Sequence, residues 1–410
     1  MSDSQIQPPL KGALEFAQAI EKARDIMFSA PWLLYSATPE QEQAAAERQL
    51  KHQISAALDE GFVVHDPRHP EFRTMNQHNQ YGLYNPDNKY YIATISASGD
   101  YVIRGKRGTS ASLEIQVGAG EPGYDENLTS PITISQLSEK DLVVGKDGYF
   151  EITISATKPD DCSNWLCNRN EDHKAKSILV RESFMDWEKE KSGSWYIERS
   201  DMSGRPTPNP SPKLVNDQYA RASEYLINST KGWVKFVDGL RANLAGGRLS
   251  PPRPTQDGKG LPGQWNAAGW FSMSPNEAYI ITVPVSPAPY QSIQVGDFWF
   301  NALEFCHRQT SLTAAQAHKS QDGKYRLVIS AEDPGVANWL DPSGTQNVFV
   351  FMRWQGLSEG YKFSEIPTVQ KVNTEDLRNH FSDELFFGPK QRRAQLAARK
   401  VSALTKPRGF

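Results

Sequence analysis

Apolar positions Leu14, Ala17, Ile20, Ala23, Ile26 and Met27 recur at helical spacing among Glu15, Glu21, Lys22 and Arg24, which predicts a helix over 11–29. Thr38-Pro39-Glu40-Gln41 supplies an N-cap, a proline at the first helical position and a capping-box partner, and Gly61 supplies a stop, so a second helix is predicted over 39–60. From about residue 84 the period changes. Segments such as KYYIATISA, ASLEIQVG, FEITISA and SILVRESF are β-branched, alternate, and are punctuated by Gly, Asp or Pro, the signature of short strands in a sandwich. Four prolines within 203–212 deny both helix and central strand. Ser211-Pro212 then opens a long helix carrying Ala222, Tyr225, Leu226, Trp233, Phe236, Val237 and Leu240, with a break expected near Gly232 and an end at Gly246-Gly247. A second strand series runs from about 265 to 356.

The strand pattern repeats residue by residue. KDGYFEITISATKPDDCSNWL (146–166) aligns with QDGKYRLVISAEDPGVANWL (321–340) once Cys162 is skipped, with nine of twenty positions identical. In both copies Asp-Gly makes a tight turn, the alternating run makes a strand, and Pro before Asn-Trp-Leu carries the chain over a sandwich end. Arg181 and Trp187 answer Arg353 and Trp354 further on. The expected fold is therefore mainly β with helical decoration: two related β-sandwich or jelly-roll modules, an N-terminal helical pair and a long inter-module helix. Its segments are a helical start at 1–61, a first module at 62–202, linker and long helix at 203–263, a second module at 264–370 and a basic tail helix at 371–410.

Composition narrows the function. The 410 residues hold 38% hydrophobic and 10% aromatic side chains, enough for sizeable cores, and a net charge of −3 offers no global footprint for nucleic acid. Three cysteines, Cys162, Cys167 and Cys306, do not make a disulfide framework and fit a reducing compartment. No export signal opens the chain and no apolar run approaches the roughly 20 residues that a membrane span needs, so a cytoplasmic protein without a membrane span is expected.

Three stretches are candidates for chemistry. Asn85-Pro-Asp87-Asn88, followed by Tyr91, places polar groups where a loop meets a strand; Asp87 is a candidate acid or base and Tyr91 a candidate to polarise a carbonyl or stack on a ring, while the Asn-Pro-Asp-Asn residues also suit an ordinary turn. Read as a helix, 299–310 sets Asn301, Glu304 and Arg308 on one face and brings His307 beside Glu304, with Trp299 adjacent; a solvated ion pair is the plain alternative. The paired Asn-Trp-Leu corners, including Asn338 and Trp339, either stack and bind a ligand or close the sandwich. Asp87, Tyr91, His307 and Arg308 form the candidate catalytic set; Asn85, Asn88, Arg181, Trp299, Asn301, Asn338, Trp339 and Arg353 form the candidate binding set.

Other patterns are weaker. His65 and His69 flank a proline that spoils a two-histidine helical face, and three cysteines cannot build a four-cysteine site, so no metal is expected. Gly118-Ala-Gly120-Glu-Pro-Gly123 and Gly356-Leu-Ser358-Glu-Gly360 match nucleotide and hydrolase fingerprints by letter, yet neither opens a helix, so no cofactor is expected. The tail from Pro389 is basic, with Lys390, Arg392, Arg393, Arg399, Lys400, Lys406 and Arg408, and its apolar positions suit docking on the body or on a second subunit.

NPDNKYYIATIS with RGKRG, DGYFEITIS…NWL…ILVRESFMDW and FWFNALEF…DPGVANWLD…FMRW together resemble the domain-of-unknown-function family 1214 across most of 60–356. The resemblance implies paired β-sandwich or jelly-roll modules and leaves activity open. The amino-terminal half shows only Asn85-Pro-Asp87-Asn88 where the related family 1254 has a double-asparagine pattern. The functional expectation is a metal- and nucleotide-independent acid-base enzyme, a hydrolase or lyase, acting on a small, partly apolar organic substrate at the junction of the two modules. The alternative is a non-catalytic protein that binds carbohydrate or lipid-like small molecules, or an assembly protein.

Overall fold

The computed structural model describes residues 10–30, 39–64, 66–80, 82–244, 246–255, 261, 263–381 and 385–405. Helices α1 (Lys11–Phe28) and α2 (Pro39–Phe62) lead into the first β module. Its strands are β1 (Arg73–Thr74), β2 (Asn88–Thr94), β3 (Tyr101–Lys106), β4 (Ser112–Ala119), β5 (Ile132–Ser138), β6 (Tyr149–Ser155), β7 (Trp165–Cys167), β8 (Ala175–Ser183) and β9 (Ser194–Arg199). Helix α3 (Pro212–Asn243) follows. The second module holds β10 (Arg248–Leu249), β11 (Arg253–Pro254), β12 (Trp265–Ser272), β13 (Glu277–Val283), β14 (Tyr290–Gly296), β15 (Ser311–Thr313), β16 (Tyr325–Ser330), β17 (Trp339–Leu340), β18 (Asn347–Gln355) and β19 (Thr368–Asn373), and helix α4 (Pro389–Thr405) closes the described chain.

The first module stacks a β1-β2-β8-β4-β5 sheet on a β7-β6-β3-β9 sheet; the second stacks β10-β12-β18-β14-β15, with β11 beside β12, on β17-β16-β13-β19. Apart from the short edge strands β1, β10 and β11, raising each strand number of the first module by ten gives the second. Alternation fills each sandwich from both sheets: Ile103, Ile115, Ile152 and Val180 in the first, Ile281, Val295, Ile329 and Val350 in the second.

The repeated corner is built twice with the same bonds. Asn164 Oδ1 accepts from Val143 N at 2.7 Å while its Nδ2 donates to Val143 O and Glu151 O, both at 2.9 Å. Asn338 Oδ1 accepts from His318 N at 2.8 Å, and its Nδ2 donates to His318 O at 2.7 Å and Arg326 O at 3.0 Å. Each amide so closes a chain crossing, and each following strand runs parallel to its neighbour, β7 on β6 and β17 on β16.

Several local expectations shift. Helix α2 runs through Gly61, because this glycine admits α3: a Cβ there would stand 2.5 Å from Gln218 O. Helix α3 is unbroken at Gly232, where absence of a side chain lets the Glu126 main chain approach. Its start is as read, with Ser211 Oγ accepting from Leu214 N at 3.1 Å. Strand β19 carries the second module past residue 370, and β10 and β11 draw part of the Pro-rich stretch into its sheet. Residues 299–310 form no helix. Asp297 Oδ1 accepts from Trp299 N at 2.9 Å and Asn301 N at 3.0 Å, which folds a loop and removes the proposed shared face of Asn301, Glu304 and Arg308.

Helix α4 docks on its own chain. Arg392 pairs with Asp333 at 2.8 Å, and Arg399 Nε donates to Phe305 O at 2.7 Å while its guanidinium lies 4.7 Å from the Trp187 ring centre. Lys406 and Arg408 lie outside the described residues. Among the described residues no helix is long and apolar enough to cross a membrane.

Candidate functional site

The two modules meet through their larger sheets, and a cavity of about 530 Å³ lies in that seam beneath α3. Strand alternation decides its walls. Tyr90 and Ile92 of β2 and Leu179 and Arg181 of β8 face it from the first module, while their neighbours Tyr91 and Val180 turn into the sandwich core. Asn266 and Ala268 of β12 and Phe349, Phe351 and Arg353 of β18 face it from the second. Trp233, Phe236 and Leu240, spaced three or four apart on α3, form the roof together with Leu244, which caps the end of the helix. Phe300 completes the aromatic wall from a left-handed conformation, φ 61°, which costs a non-glycine residue on the order of 1–3 kcal/mol. Its ring packs edge-on against Phe349 at 4.8 Å and Phe236 at 5.1 Å.

The polar side of the cavity is duplicated. Arg181 Nη1 donates to Gln116 Oε1 at 3.1 Å, and Arg353 Nη1 donates to Gln294 Oε1 in the equivalent place. Arg353 also donates to Leu83 O at 3.2 Å and lies 4.5 Å from the Phe351 ring centre. Both arginines are less than a tenth exposed, and Asn88 lines the cavity near them.

Of the candidate residues, the cavity lining therefore gathers Asn88 and Arg181 from the first module and Arg353 from the second. Asn85 and Asp87 lie within the contact between modules but not on the cavity surface. Asp87 Oδ1 accepts from Trp187 Nε1 at 3.1 Å and Oδ2 from Tyr290 OH at 2.8 Å, while Asn85 Nδ2 donates to Tyr290 OH at 2.7 Å. Burial, then the nearby Asp87 charge, pushes the Tyr290 phenol well above its usual range. Tyr91 faces the first sandwich core, its hydroxyl 2.8 Å from Ser192 Oγ, and burial raises its pKa. His307 is exposed beside Glu304 at 3.2 Å, and Arg308 pairs at the surface with Asp341 at 2.9 Å. Trp299 is buried against the helices and Asn301 is held by Asp297; Asn338 and Trp339 are the sandwich corner, Trp339 Nε1 donating to Ser330 O at 3.2 Å. The Asp87, Tyr91, His307 and Arg308 set does not line one cavity. His65 lies outside the described residues, and His69 Nδ1 sits 3.2 Å from Asp66.

Residues 270–357 match the family model described as a protein of unknown function, DUF1214. The matched residues lie within the second β module. A crystal structure of an uncharacterised protein from Burkholderia cenocepacia is similar in fold, with TM-score 0.77 and 24% identity over 89% of this chain and 98% of that one. The VPA0106 protein from Vibrio parahaemolyticus is more distant, at TM-score 0.45 and 13% identity over 87% of this chain and 100% of its own. No curated protein sequence matches the chain.

The family match lies within the second module alone, and the strand order ties the first module to it as a structural copy. A second repeat, Ile115-Gln-Val-Gly118 in β4 and Ile293-Gln-Val-Gly296 in β14, carries the two glutamines that orient the arginines; this identity was available in the sequence and marks the seam-facing strand of each module. Beside it, Glu114 is buried and accepts from Gln355 Nε2 of the second module at 3.1 Å and from Gln136 Nε2 at 2.5 Å. Burial pushes its pKa from 4.5 to about 7, against those two hydrogen bonds. Because the native state holds this proton more tightly than the unfolded chain, its stabilising effect is complete below about pH 4.5 and is lost as pH rises through about 7. Glu114→Gln should abolish that slope, gaining up to about 3 kcal/mol on wild type between pH 5 and pH 8 in urea denaturation. Parallel stability profiles for the two proteins would refute this assignment.

Proposed function

We propose that the protein binds a small, partly apolar organic molecule in the cavity between its two β modules. The carrying observation is the cavity itself: about 530 Å³, walled by Phe300, Phe349, Phe351 and Trp233, with the buried Arg181, Arg353 and Asn88 among the polar groups that line it. Apolar pockets of roughly 300–1,000 Å³ with a small convergent polar set are the usual form of small-molecule sites. The non-catalytic reading is favoured over the acid-base enzyme because the expected acid, base and cation stand off the cavity wall, in the seam network, the first core and the surface. An acid-base enzyme remains the second reading on one observation: Glu60 lines the cavity and burial raises its pKa, although Arg73 lies 2.7 Å away. A reducing, cytoplasmic setting belongs to the same proposal, supported by three free cysteines.

The test is titration with the neutral fluorophore N-phenyl-1-naphthylamine. Wild type should bind one equivalent with enhanced emission. Ala268→Trp, which fills the cavity from β12, should lose at least about tenfold in affinity while keeping the native circular dichroism. Leu244→Trp, at the end of α3, offers a second way to fill the same space. No binding by wild type, or equal binding by the folded filled variants, would overturn the proposal.

A further inference from the structure

We propose that the occupant of this cavity is an organic carboxylate, its head group on the Arg353 guanidinium and its apolar body against Phe300, Phe349, Phe351 and Trp233. The inference rests on the cavity reading above and adds the charge of the ligand.

Comparison of the two copies carries it. In the first module, Glu114 of β4 stands directly opposite Arg181 of β8. In the second, the residue opposite Arg353 at that register is Ser292. The guanidinium of the second module thus has the matching glutamine but no carboxylate directly across the strand. The partners that surround Arg353 are neutral: the Gln294 amide, the Leu83 carbonyl and the Phe351 ring. Among the described residues, Arg353 makes no ion pair within 4.0 Å. Asp87, linked to Ser292 through the Tyr290 hydroxyl, is already engaged by Trp187 and Tyr290. A buried guanidinium with uncharged partners gains most from a planar, bidentate anion.

The charge on the cavity wall points the same way. Lys176, Arg181, Arg221, Arg253 and Arg353 line it against Glu60 and Glu121, within a chain of net charge −3. Glu60 is held by Arg73 from outside the cavity, and Glu121 by Lys176 and Arg221. The aromatic wall decides what the anion is attached to. Inorganic phosphate would satisfy the guanidinium and leave that wall without a partner, whereas an aryl or long alkyl carboxylate satisfies both.

Displacement of N-phenyl-1-naphthylamine by 2-naphthoate, 2-naphthamide and inorganic phosphate tests this. In wild type, naphthoate should displace the fluorophore at a concentration at least about tenfold below naphthamide, and phosphate should not displace it. Arg353→Gln should erase the preference for naphthoate while retaining the fluorophore. Asn266→Asp should do the same without removing a buried cation, because residue 266 lines the cavity and lies directly opposite Arg353 on β12, where a carboxylate would occupy the guanidinium. Should Arg353→Gln fail to fold, Asn266→Asp carries the test. Equal displacement by naphthoate and naphthamide, with fluorophore binding still blocked in Ala268→Trp, would overturn the carboxylate and leave the cavity reading intact. A preference that survives in the folded variants would overturn the role of Arg353. Failure of wild type to bind the fluorophore would sink the cavity reading itself.

Discussion

Asp87→Ala is expected to lower the stability of the protein by about 3–5 kcal/mol, measured by urea denaturation at pH 7. The carboxylate is 1% exposed and accepts from the Trp187 indole and the Tyr290 hydroxyl, one donor from each module. It also opposes the cost of burying Arg399, whose pKa falls to about 10 through desolvation while the Asp87 charge works against the fall. Truncation removes the buried acceptor of the Trp187 indole and of the Tyr290 hydroxyl and leaves a buried guanidinium with less compensation, and such a loss exceeds the net worth of the bonds that were broken. Asp87→Asn keeps the shape and one acceptor, so its loss should be smaller, about 1–3 kcal/mol. A loss below about 1 kcal/mol for Asp87→Ala would show that this network does not bind the modules together.

Asn164→Ala and Asn338→Ala should each cost about 2–4 kcal/mol, and the two costs should agree within about 1 kcal/mol. Each side chain makes three bonds to main-chain groups at a buried crossing, in nearly superimposable patterns. Alanine would strand one main-chain donor and two acceptors in each module. Urea denaturation of the two variants is the check. A large effect at Asn164 with none at Asn338 would separate the corners and break the structural equivalence of the modules. Retained binding of N-phenyl-1-naphthylamine by the folded Asn338→Ala variant is also expected, since this residue does not line the cavity.

Local signals were legible wherever the chain's own neighbours decide the outcome. Ser211-Pro212 starts α3 with the expected cap, and the Asp-Gly turns, alternating strands and Asn-Trp-Leu corners return as one topology built twice. The duplication in the sequence also sets Arg181 against Arg353, and these are two candidate residues that the seam presents from opposite modules. The failures share a cause. Asn85-Pro-Asp87-Asn88 has the composition of an exposed turn, yet its polarity is consumed by Tyr290, 203 residues from Asp87 in sequence. Residues 301–308 carry good helix formers, but Asp297 captures the preceding amides and Phe300 adopts φ 61°, so a loop forms and His307 is left at the surface. Gly61 and Gly232 read as helix breakers because their use, close approach of another segment, depends on tertiary packing. The aromatic wall was beyond local reading for the same reason: Trp233, Phe300 and Phe349 converge from α3, a loop and β18.

The most direct measurement is a crystal structure of the full chain grown with 2-naphthoate. Density for the ring system between Phe300, Phe349 and Trp233, with its carboxylate against Arg353, is the expected result. Naphthoate bound elsewhere, or a seam cavity filled only by ordered water at saturating ligand, would contradict the claim that the junction of the two modules is the working site.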